Sequence, residues 1–81
     1  MPAMALPTED IVLEQLKNIR LEAGLTQTEL ANRLGKPQSY VAKYEGGARK
    51  LNINELFVLC EACGVDASMF CKKVEQAAYS G

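Results

Sequence analysis

The sequence predicts an all-α fold, a compact domain of five helices. Its 81 residues suffice for one domain with a single modest core. Apolar residues recur at steps of three and four along successive stretches, which is the spacing of buried helical faces. The six glycines and three prolines fall between these stretches rather than within them. Because 48% of the residues are hydrophobic, the chain has enough apolar side chains for a packed globule.

The first helix is expected to follow a flexible tail formed by Met1–Pro7. Thr8 can cap its N-terminus, because a threonine hydroxyl accepts a hydrogen bond from an N–H of the first turn. Gly24 is expected to end it, because glycine readily adopts the left-handed conformation that terminates helices. Between these points, one face carries the residues predicted to be buried: Val12, Leu13, Leu16, Ile19, Arg20 and Ala23.

The second helix has a well-defined start and end in the sequence. Thr26 and Glu29 have the T-x-x-E spacing of a capping box, in which each side chain bonds the backbone N–H of the other residue. The helix is therefore expected from Gln27 to Leu34. Gly35 then permits a sharp turn, because glycine adopts a positive φ without steric cost.

The third helix is expected from Gln38 to Glu45, with Pro37 in its first turn, where the missing N–H does no harm. Gly46 and Gly47 are expected to stop it. The residues that follow, 48–50, form a short basic loop before the next capping signal.

Two further helices complete the predicted bundle. Asn52 and Glu55 form a second capping box, and Gly64 ends the fourth helix. Its expected buried stripe consists of Ile53, Leu56, Phe57, Leu59, Cys60 and Cys63. Asp66 is expected to cap a fifth helix over residues 66–78, whose apolar and small residues are Met69, Phe70, Cys71, Val74, Ala77 and Ala78.

The second and third helices have the pattern of a helix-turn-helix unit over residues 27–45. The residues expected to point inward are Leu30, Ala31, Leu34, Val41 and Tyr44. That arrangement leaves Gln38, Ser39 and Lys43 on one outward face at the start of the third helix. An exposed leading edge of this kind fits the major groove of double-stranded DNA.

The distribution of charge supports the same partner. Between Arg33 and Lys50 the chain has five basic residues and one acid, Glu45, although the whole chain has a net charge of −1. A single positive face on an otherwise acidic body favours docking on DNA in one orientation rather than general coating of nucleic acid.

The residues from Leu16 to Phe70 resemble the five-helix Cro/phage-repressor (Xre) family of DNA-binding regulators. The segments that carry the resemblance are Arg20, G-L-T-Q-x-E-L-A at Gly24–Ala31, Leu34–Gly35, Q-S-Y-V at Gln38–Val41, Glu45–Gly46 and Leu56 with Gly64–Val65. The Q-S-Y segment followed by Arg49-Lys50-Leu51 is also similar to the small controller proteins of restriction–modification systems.

The resemblance implies particular roles along the chain. It implies that base edges are read by Gln38, Ser39, Tyr40 and Lys43, and that DNA phosphates are contacted by Gln27, Arg33, Lys36, Arg49 and Lys50. It further implies a structural ion pair between Arg20 and Glu45, which would join the first helix to the end of the third. The family usually has Ser or Thr where this chain has Pro37, and an aliphatic residue where it has Tyr44, whose hydroxyl is therefore expected to reach the surface or a partner.

The fifth helix has more apolar residues than a small core requires. Packing under the first helix is one explanation. A two-fold homodimer interface is the favoured one, with Met69, Phe70, Lys73 and Val74 near the axis. A dimer of this kind would place two recognition helices about 34 Å apart and would bind a palindromic operator.

The three cysteines give no clear sign of a metal centre. Cys60 and Cys63 are expected to be buried as small hydrophobic residues, and neither a second ligand pair nor a histidine is present. We expect no metal, no cofactor and no small-molecule ligand. The sequence also shows no catalytic constellation, so an enzyme is the least expected class.

The sequence lacks a signal peptide and an apolar run long enough to span a membrane, so a cytoplasmic protein without membrane contact is expected. Two alternatives to a DNA-binding transcriptional regulator remain open at this point. One is a helix-turn-helix module that binds another protein, such as an antitoxin or an anti-regulator partner. The other is a repressor that responds to redox state or metal through its cysteines.

Overall fold

The structure, a computed structural model, describes residues 8–80, and the expected tail at Met1–Pro7 lies outside this range. Every regular element in the described range is a helix, so the all-α prediction is confirmed. The five helices are α1 (Glu9–Glu22), α2 (Gln27–Leu34), α3 (Gln38–Glu45), α4 (Ile53–Ala62) and α5 (Ala67–Ser80).

The local capping signals place the helix starts correctly. The Thr26 hydroxyl accepts from the Glu29 N–H at 3.0 Å, and the Glu29 carboxylate accepts from the Thr26 N–H at 3.0 Å. Asn52 and Glu55 form the same reciprocal pair at the start of α4. The predicted bounds of α2 are confirmed, because short-range hydrogen bonds of this kind depend on sequence spacing alone. The predicted bounds of α3 are also confirmed, although no side chain caps its start.

The position of Pro37 and the bounds of α5 differ from the prediction. Pro37 lies immediately before α3, in an extended conformation, rather than in its first turn, so Gln38 is the first helical residue. The fifth helix begins at Ala67, one residue later than expected, and continues to Ser80 instead of ending at residue 78. Within residues 8–80, every helix is too short or too polar to cross a lipid bilayer.

The helices surround one core to which all five contribute. α2 packs against α3 and α4, while α1 packs against α3 and α5, and α5 also contacts α4. The buried residues at the centre are Leu16, Ile19, Leu25, Leu30, Ala31, Val41, Tyr44, Leu59, Cys60, Cys63, Phe70 and Val74. This arrangement holds α3 on one side of the bundle by its Val41 and Tyr44 face.

Three predicted positions in the core are wrong. Ile53 and Phe57 are 61% and 53% exposed, because Leu59 and Cys60 define the inward face of α4 and turn these two residues away from the core. Ala23 is also exposed, because it follows the last residue of α1 as the C-terminal cap. Helical periodicity finds the apolar stripe but does not choose which edge of a wide stripe meets the neighbouring helices.

The expectation for Tyr44 is also wrong. Its side chain is fully buried, and its hydroxyl reaches neither the surface nor a hydrogen-bond partner within the described part of the chain. The ring meets Tyr40 edge to face, with centroids 5.8 Å apart. Burial raises the pKa of the Tyr44 hydroxyl, so this group stays neutral.

Candidate nucleic-acid interface

The outward face of α3 is built as its sequence predicts. Gly35 has a φ of 68°, and this left-handed conformation allows α2 and α3 to meet across a very short turn. Val41 and Tyr44 fix the inner face of α3 in the core, whereas Gln38, Ser39 and Lys43 are exposed. The first turn of α3 therefore carries Gln38 and Ser39 on the surface of the described part of the chain.

A chain of hydrogen bonds links the first residue of α3 to the core. The Gln38 Nε2 donates to the Gln27 Oε1 at 2.8 Å, and the Gln27 Nε2 donates to the Glu45 Oε1 at 3.1 Å. Glu45 in turn accepts two hydrogen bonds from Arg20, at 2.7 Å from Nε and at 3.1 Å from Nη2. This series of hydrogen bonds joins α1, α2 and both ends of α3.

The directions of these hydrogen bonds determine the orientation of the Gln38 amide. Arg20 only donates and an ionised Glu45 only accepts, so the amide nitrogen of Gln27 must face Glu45. The oxygen of Gln27 then faces Gln38 and requires the amide nitrogen of Gln38 to point toward it. Gln38 keeps its oxygen and one N–H available for a ligand.

The ion pair between Arg20 and Glu45, implied by the family resemblance, is present in the structure. Its side chains are only 8% and 5% exposed, and the Arg20 Nη1 also donates to the Leu25 carbonyl at 2.9 Å. The hydrogen bond to Glu45 raises the pKa of Arg20 further above its ordinary value. The pair joins α1 to the end of α3 and helps to set the orientation of α3 on the bundle.

Tyr40 is held differently from its neighbours on α3. Its hydroxyl donates to the Glu55 Oε2 at 2.6 Å, and the same oxygen accepts from the Arg49 Nη2 at 2.6 Å. The Arg49 guanidinium lies 4.9 Å from the Tyr40 ring centroid, and the Lys36 ammonium lies 5.5 Å from it. Tyr40 is therefore half-buried and bonded within the protein, so its hydroxyl is not directed to a base in this state.

Tyr40 and the charged groups around it shift one another's pKa values. The hydrogen bond from Tyr40, followed by those from the Asn52 backbone and Arg49, lowers the pKa of Glu55 to about 2. Burial, with Glu55 as the next cause, raises the pKa of Tyr40. The bond to Glu55 raises the pKa of Arg49. At neutral pH the group consists of an anionic Glu55, a cationic Arg49 and a neutral tyrosine.

The predicted phosphate ligands other than Gln27 differ in their surroundings. Lys36 and Arg49 lie beside Tyr40 and line one cleft together with Lys43. Arg33 is directed elsewhere, because its Nη1 donates to the Ala62 carbonyl at the C-terminus of α4, at 2.9 Å. This bond supplies a donor for a carbonyl that the helix leaves without an internal partner. Lys50 is exposed in the loop that precedes α4.

The predicted dimer residues on α5 do not form one exposed surface. Phe70 and Val74 are buried in the core of the protomer, at 2% and 7% exposure, because their four-residue spacing places both on the inner face of α5. Both side chains therefore face the core of their own protomer, and the predicted dimer axis at these residues stays a prediction. Met69 is exposed, and the Lys73 Nζ pairs with the Glu22 Oε2 at 2.9 Å.

The three cysteines are free thiols, with Cys60 and Cys63 buried and Cys71 exposed. Burial raises the pKa of both Cys60 and Cys63, which keeps these thiols protonated. Within residues 8–80, no three side chains of His, Cys, Asp or Glu converge on a position where a metal ion could bind.

Glu55 is the functional candidate that the sequence pattern did not indicate. The spacing from Asn52 predicts its capping role, and that role uses the Oε1 atom. Its Oε2 atom meets Tyr40, 15 residues earlier, through the packing of α3 beside the start of α4. No short-range pattern connects these two positions, so only the folded chain reveals the contact.

Comparisons with known proteins agree with the fold. A family model described as helix-turn-helix matches residues 16–70. An XRE-family like protein from Pseudomonas syringae pv. tomato is 40% identical, with 84% of this chain and 83% of that chain covered and a TM-score of 0.78. None of the curated proteins is similar enough to match this chain.

Two further solved structures share the architecture. The wild-type restriction–modification controller protein C.Esp1396I is 26% identical, covers 90% of this chain and 95% of its own, and has a TM-score of 0.83. The clp gene regulator ClgR from C. glutamicum is 19% identical, covers 95% of this chain and 94% of its own, and has a TM-score of 0.76, which shows a shared fold alone. The matched helix-turn-helix unit, its internal ion pair and these likenesses lead to one conclusion: the chain belongs to the Xre family of helix-turn-helix DNA-binding regulators.

Proposed function

We propose that this protein is a sequence-specific transcriptional regulator that inserts α3 into the major groove of operator DNA. The observation that carries the proposal is the fixed amide of Gln38 at the exposed start of α3. A side chain held in one orientation before binding loses little conformational freedom when it meets a base.

Gln38 is suited to adenine. Adenine offers its N6 amino group as a donor and N7 as an acceptor at the major-groove edge. The oxygen and the remaining N–H of Gln38 complement this pair and can bond both atoms at once. Ser39 and Lys43 lie on the same face and have the groups for further contacts to bases or phosphates. Tyr40 contributes through its ring rather than through its bonded hydroxyl.

Phosphate contacts are assigned to the cations around this edge. Lys36 and Arg49 flank Tyr40, and Lys50 follows in the same loop. Gln27 has one N–H left beyond its two hydrogen bonds and lies at the start of α2 beside Gln38. Arg33 takes a phosphate only if it leaves the Ala62 carbonyl, so we expect it to contribute least.

We further propose that the protein binds a palindromic site as a homodimer. With Phe70 and Val74 buried, the apolar surface for a second copy is on α4, where Ile53 and Phe57 are exposed one helical turn apart. Met69 at the start of α5 adds to the exposed apolar residues. A two-fold axis through such a surface would present two α3 helices to successive turns of DNA.

Selection of duplexes from a randomised pool by the purified protein tests the DNA-binding proposal. We expect a palindromic consensus, and an affinity whose logarithm falls linearly with the logarithm of salt concentration. Gln38→Ala should relax the preference at one base pair of each half-site by about 1–3 kcal/mol. Lys43→Ala should weaken binding more than Lys72→Ala, which removes the same charge from exposed α5.

Each part of the proposal has a contrary outcome. Binding to no duplex at any salt concentration would favour a protein-binding module over a regulator.

For the dimer, sedimentation of Phe57→Glu should show monomers where the wild type shows dimers. Leu21→Glu, a change at an equally exposed residue of α1, should not alter the assembly. A wild-type monomer at all concentrations would refute the dimer proposal.

A further inference from the structure

The carboxylate of Glu55 connects three elements that meet beside the recognition helix. Its Oε1 accepts from the Asn52 N–H at 3.0 Å, which closes the capping box of α4. Its Oε2 accepts from the Tyr40 hydroxyl of α3 and from the Arg49 Nη2 of the intervening loop, both at 2.6 Å. Both oxygens are thus engaged, and the position of the carboxylate is set by the rigid first turn of α4.

Arg49 is restrained in position and in the plane of its guanidinium. The bond to Glu55 fixes one nitrogen, and the Tyr40 ring at 4.9 Å supports the planar group. The side chain is nevertheless 43% exposed. Because a guanidinium has five N–H donors and Glu55 accepts from only one nitrogen, donors remain for an anion from outside.

Arg49 faces a cleft that Glu55 does not enter. The cleft has a volume of about 320 Å³ and is lined by Lys36, Pro37, Ser39, Tyr40, Lys43 and Arg49. The lining thus includes three cations and no acid. Glu55 lies behind Tyr40 and Arg49 and borders a different depression with Leu34 and Val58. The cationic cleft also includes Ser39 and Lys43 of the exposed α3 face.

We propose that Glu55 is a positioning residue that holds Arg49 on the Tyr40 ring and so completes a binding site for one DNA phosphate in this cleft. This inference rests on the proposed function. A carboxylate near DNA opposes binding through charge repulsion, but here it also fixes the guanidinium beside the base-reading edge. Glu55 contributes to DNA affinity through Arg49 and without touching the DNA itself.

The variant Glu55→Gln separates positioning from helix capping. Glutamine also serves in a capping box, so its oxygen can still accept from the Asn52 N–H. Its amide nitrogen then faces Arg49, and two donors cannot bond each other. Glu61→Gln is the matched control, because it removes one carboxylate from the other end of α4, where the exposed Glu61 is far along the helix from Arg49.

The experiment measures affinity over a range of salt concentrations, with the duplex that the wild-type protein selects from a randomised pool. We expect Glu55→Gln to bind about tenfold more weakly than Glu61→Gln, with a salt slope smaller by about 0.9 per protomer because one phosphate contact is lost. In an Arg49→Ala background, Glu55→Gln and Glu61→Gln should bind alike. Equal or tighter binding by Glu55→Gln in the unaltered background, or a further tenfold loss in the Arg49→Ala background, would overturn the inference.

A second measurement needs no DNA. The Arg49 Nη2–H signals in a ¹⁵N NMR spectrum should exchange slowly with water in the wild type and in Glu61→Gln, and rapidly in Glu55→Gln, because Nη2 donates to Glu55. An equal exchange rate in the wild type and in Glu55→Gln would refute the positioning role of Glu55 but not the proposed function. A wild-type protein that binds no duplex would instead refute the proposed function, and with it the DNA part of this inference.

Discussion

Arg20 shows how one buried side chain can organise several elements. Its guanidinium bonds Glu45 at the end of α3 and the Leu25 carbonyl before α2, while its own backbone belongs to α1. Through Glu45 and Gln27, the same group determines which way the Gln38 amide points. A buried residue therefore orients a residue of the proposed DNA-binding surface.

We predict that Arg20→Ala lowers the free energy of unfolding by about 3 kcal/mol or more, because it leaves the Glu45 carboxylate buried without its partner. Lys17→Ala, on the same helix but exposed, should change stability by less than about 0.5 kcal/mol. Urea denaturation of both variants checks this. Equal, small losses would show that the pair contributes little.

The Tyr44 hydroxyl gives a prediction of the opposite sign. Tyr44→Phe should leave stability unchanged or raise it by about 1 kcal/mol, because the hydroxyl is desolvated without a bond to any residue in the range 8–80. The ring and its edge-to-face contact with Tyr40 are kept by phenylalanine. A clear loss of stability in urea denaturation would show that the hydroxyl is bonded in solution.

At the scale of elements, two capping boxes start α2 and α4 in the same way. The Thr26 backbone is the main cause that lowers the pKa of Glu29, and the Tyr40 hydroxyl is the main cause that lowers the pKa of Glu55. In both cases the charged carboxylate is the form that the fold stabilises. The helix starts that frame α3 therefore depend on ionised glutamates.

This dependence predicts the direction of the pH response. The pKa of Glu55 is lowered from 4.5 to about 2, so its contribution to stability is present above pH 4.5 and is lost as the pH falls toward 2. Melting temperatures between pH 5 and about 2 should fall less steeply for Glu55→Gln than for the wild type, with Glu61→Gln as the control. An identical pH profile for all three proteins would contradict this account.

At the scale of the whole molecule, the packing of α4 and α5 against the other helices decides which surface is apolar. Leu59 and Cys60 of α4, and Cys63 directly after it, fill the core from one side. Phe70 and Val74 fill it from α5. The same packing leaves Ile53, Phe57 and Met69 in solvent. The proposed dimer surface therefore lies on α4 rather than in the middle of α5.

The packing also makes the three cysteines differ in exposure. In the native protein we predict that Cys71 reacts rapidly with a thiol reagent, while Cys60 and Cys63 react only as fast as the protein opens, because they are buried and their pKa values are raised. Titration should therefore give one rapid thiol without denaturant and three with denaturant. Rapid modification of all three in the native state would return a thiol sensor to consideration.

The sequence by itself determined the features that depend on neighbours in the chain. The T-x-x-E spacing fixed the start of α2, Gly35 fixed the turn, and the apolar pattern left Gln38 and Ser39 outside. Hydrogen bonds between residues three or four apart and the backbone freedom of glycine are local, so they can be read without a model of the fold. The resemblance to the Xre family added the Arg20–Glu45 pair.

Only the tertiary structure decided the contacts between distant residues. The bond between Glu55 and Tyr40, the link from Gln27 to Gln38, and the burial of Phe70 and the Tyr44 hydroxyl all depend on how helices pack across the bundle. A wide apolar stripe is compatible with several rotations of a helix, and the rotation that fills the common core is chosen by all five helices together. For this reason the exposed face of α3 followed from the sequence, whereas the contacts that Gln27 and Glu55 make beside it did not.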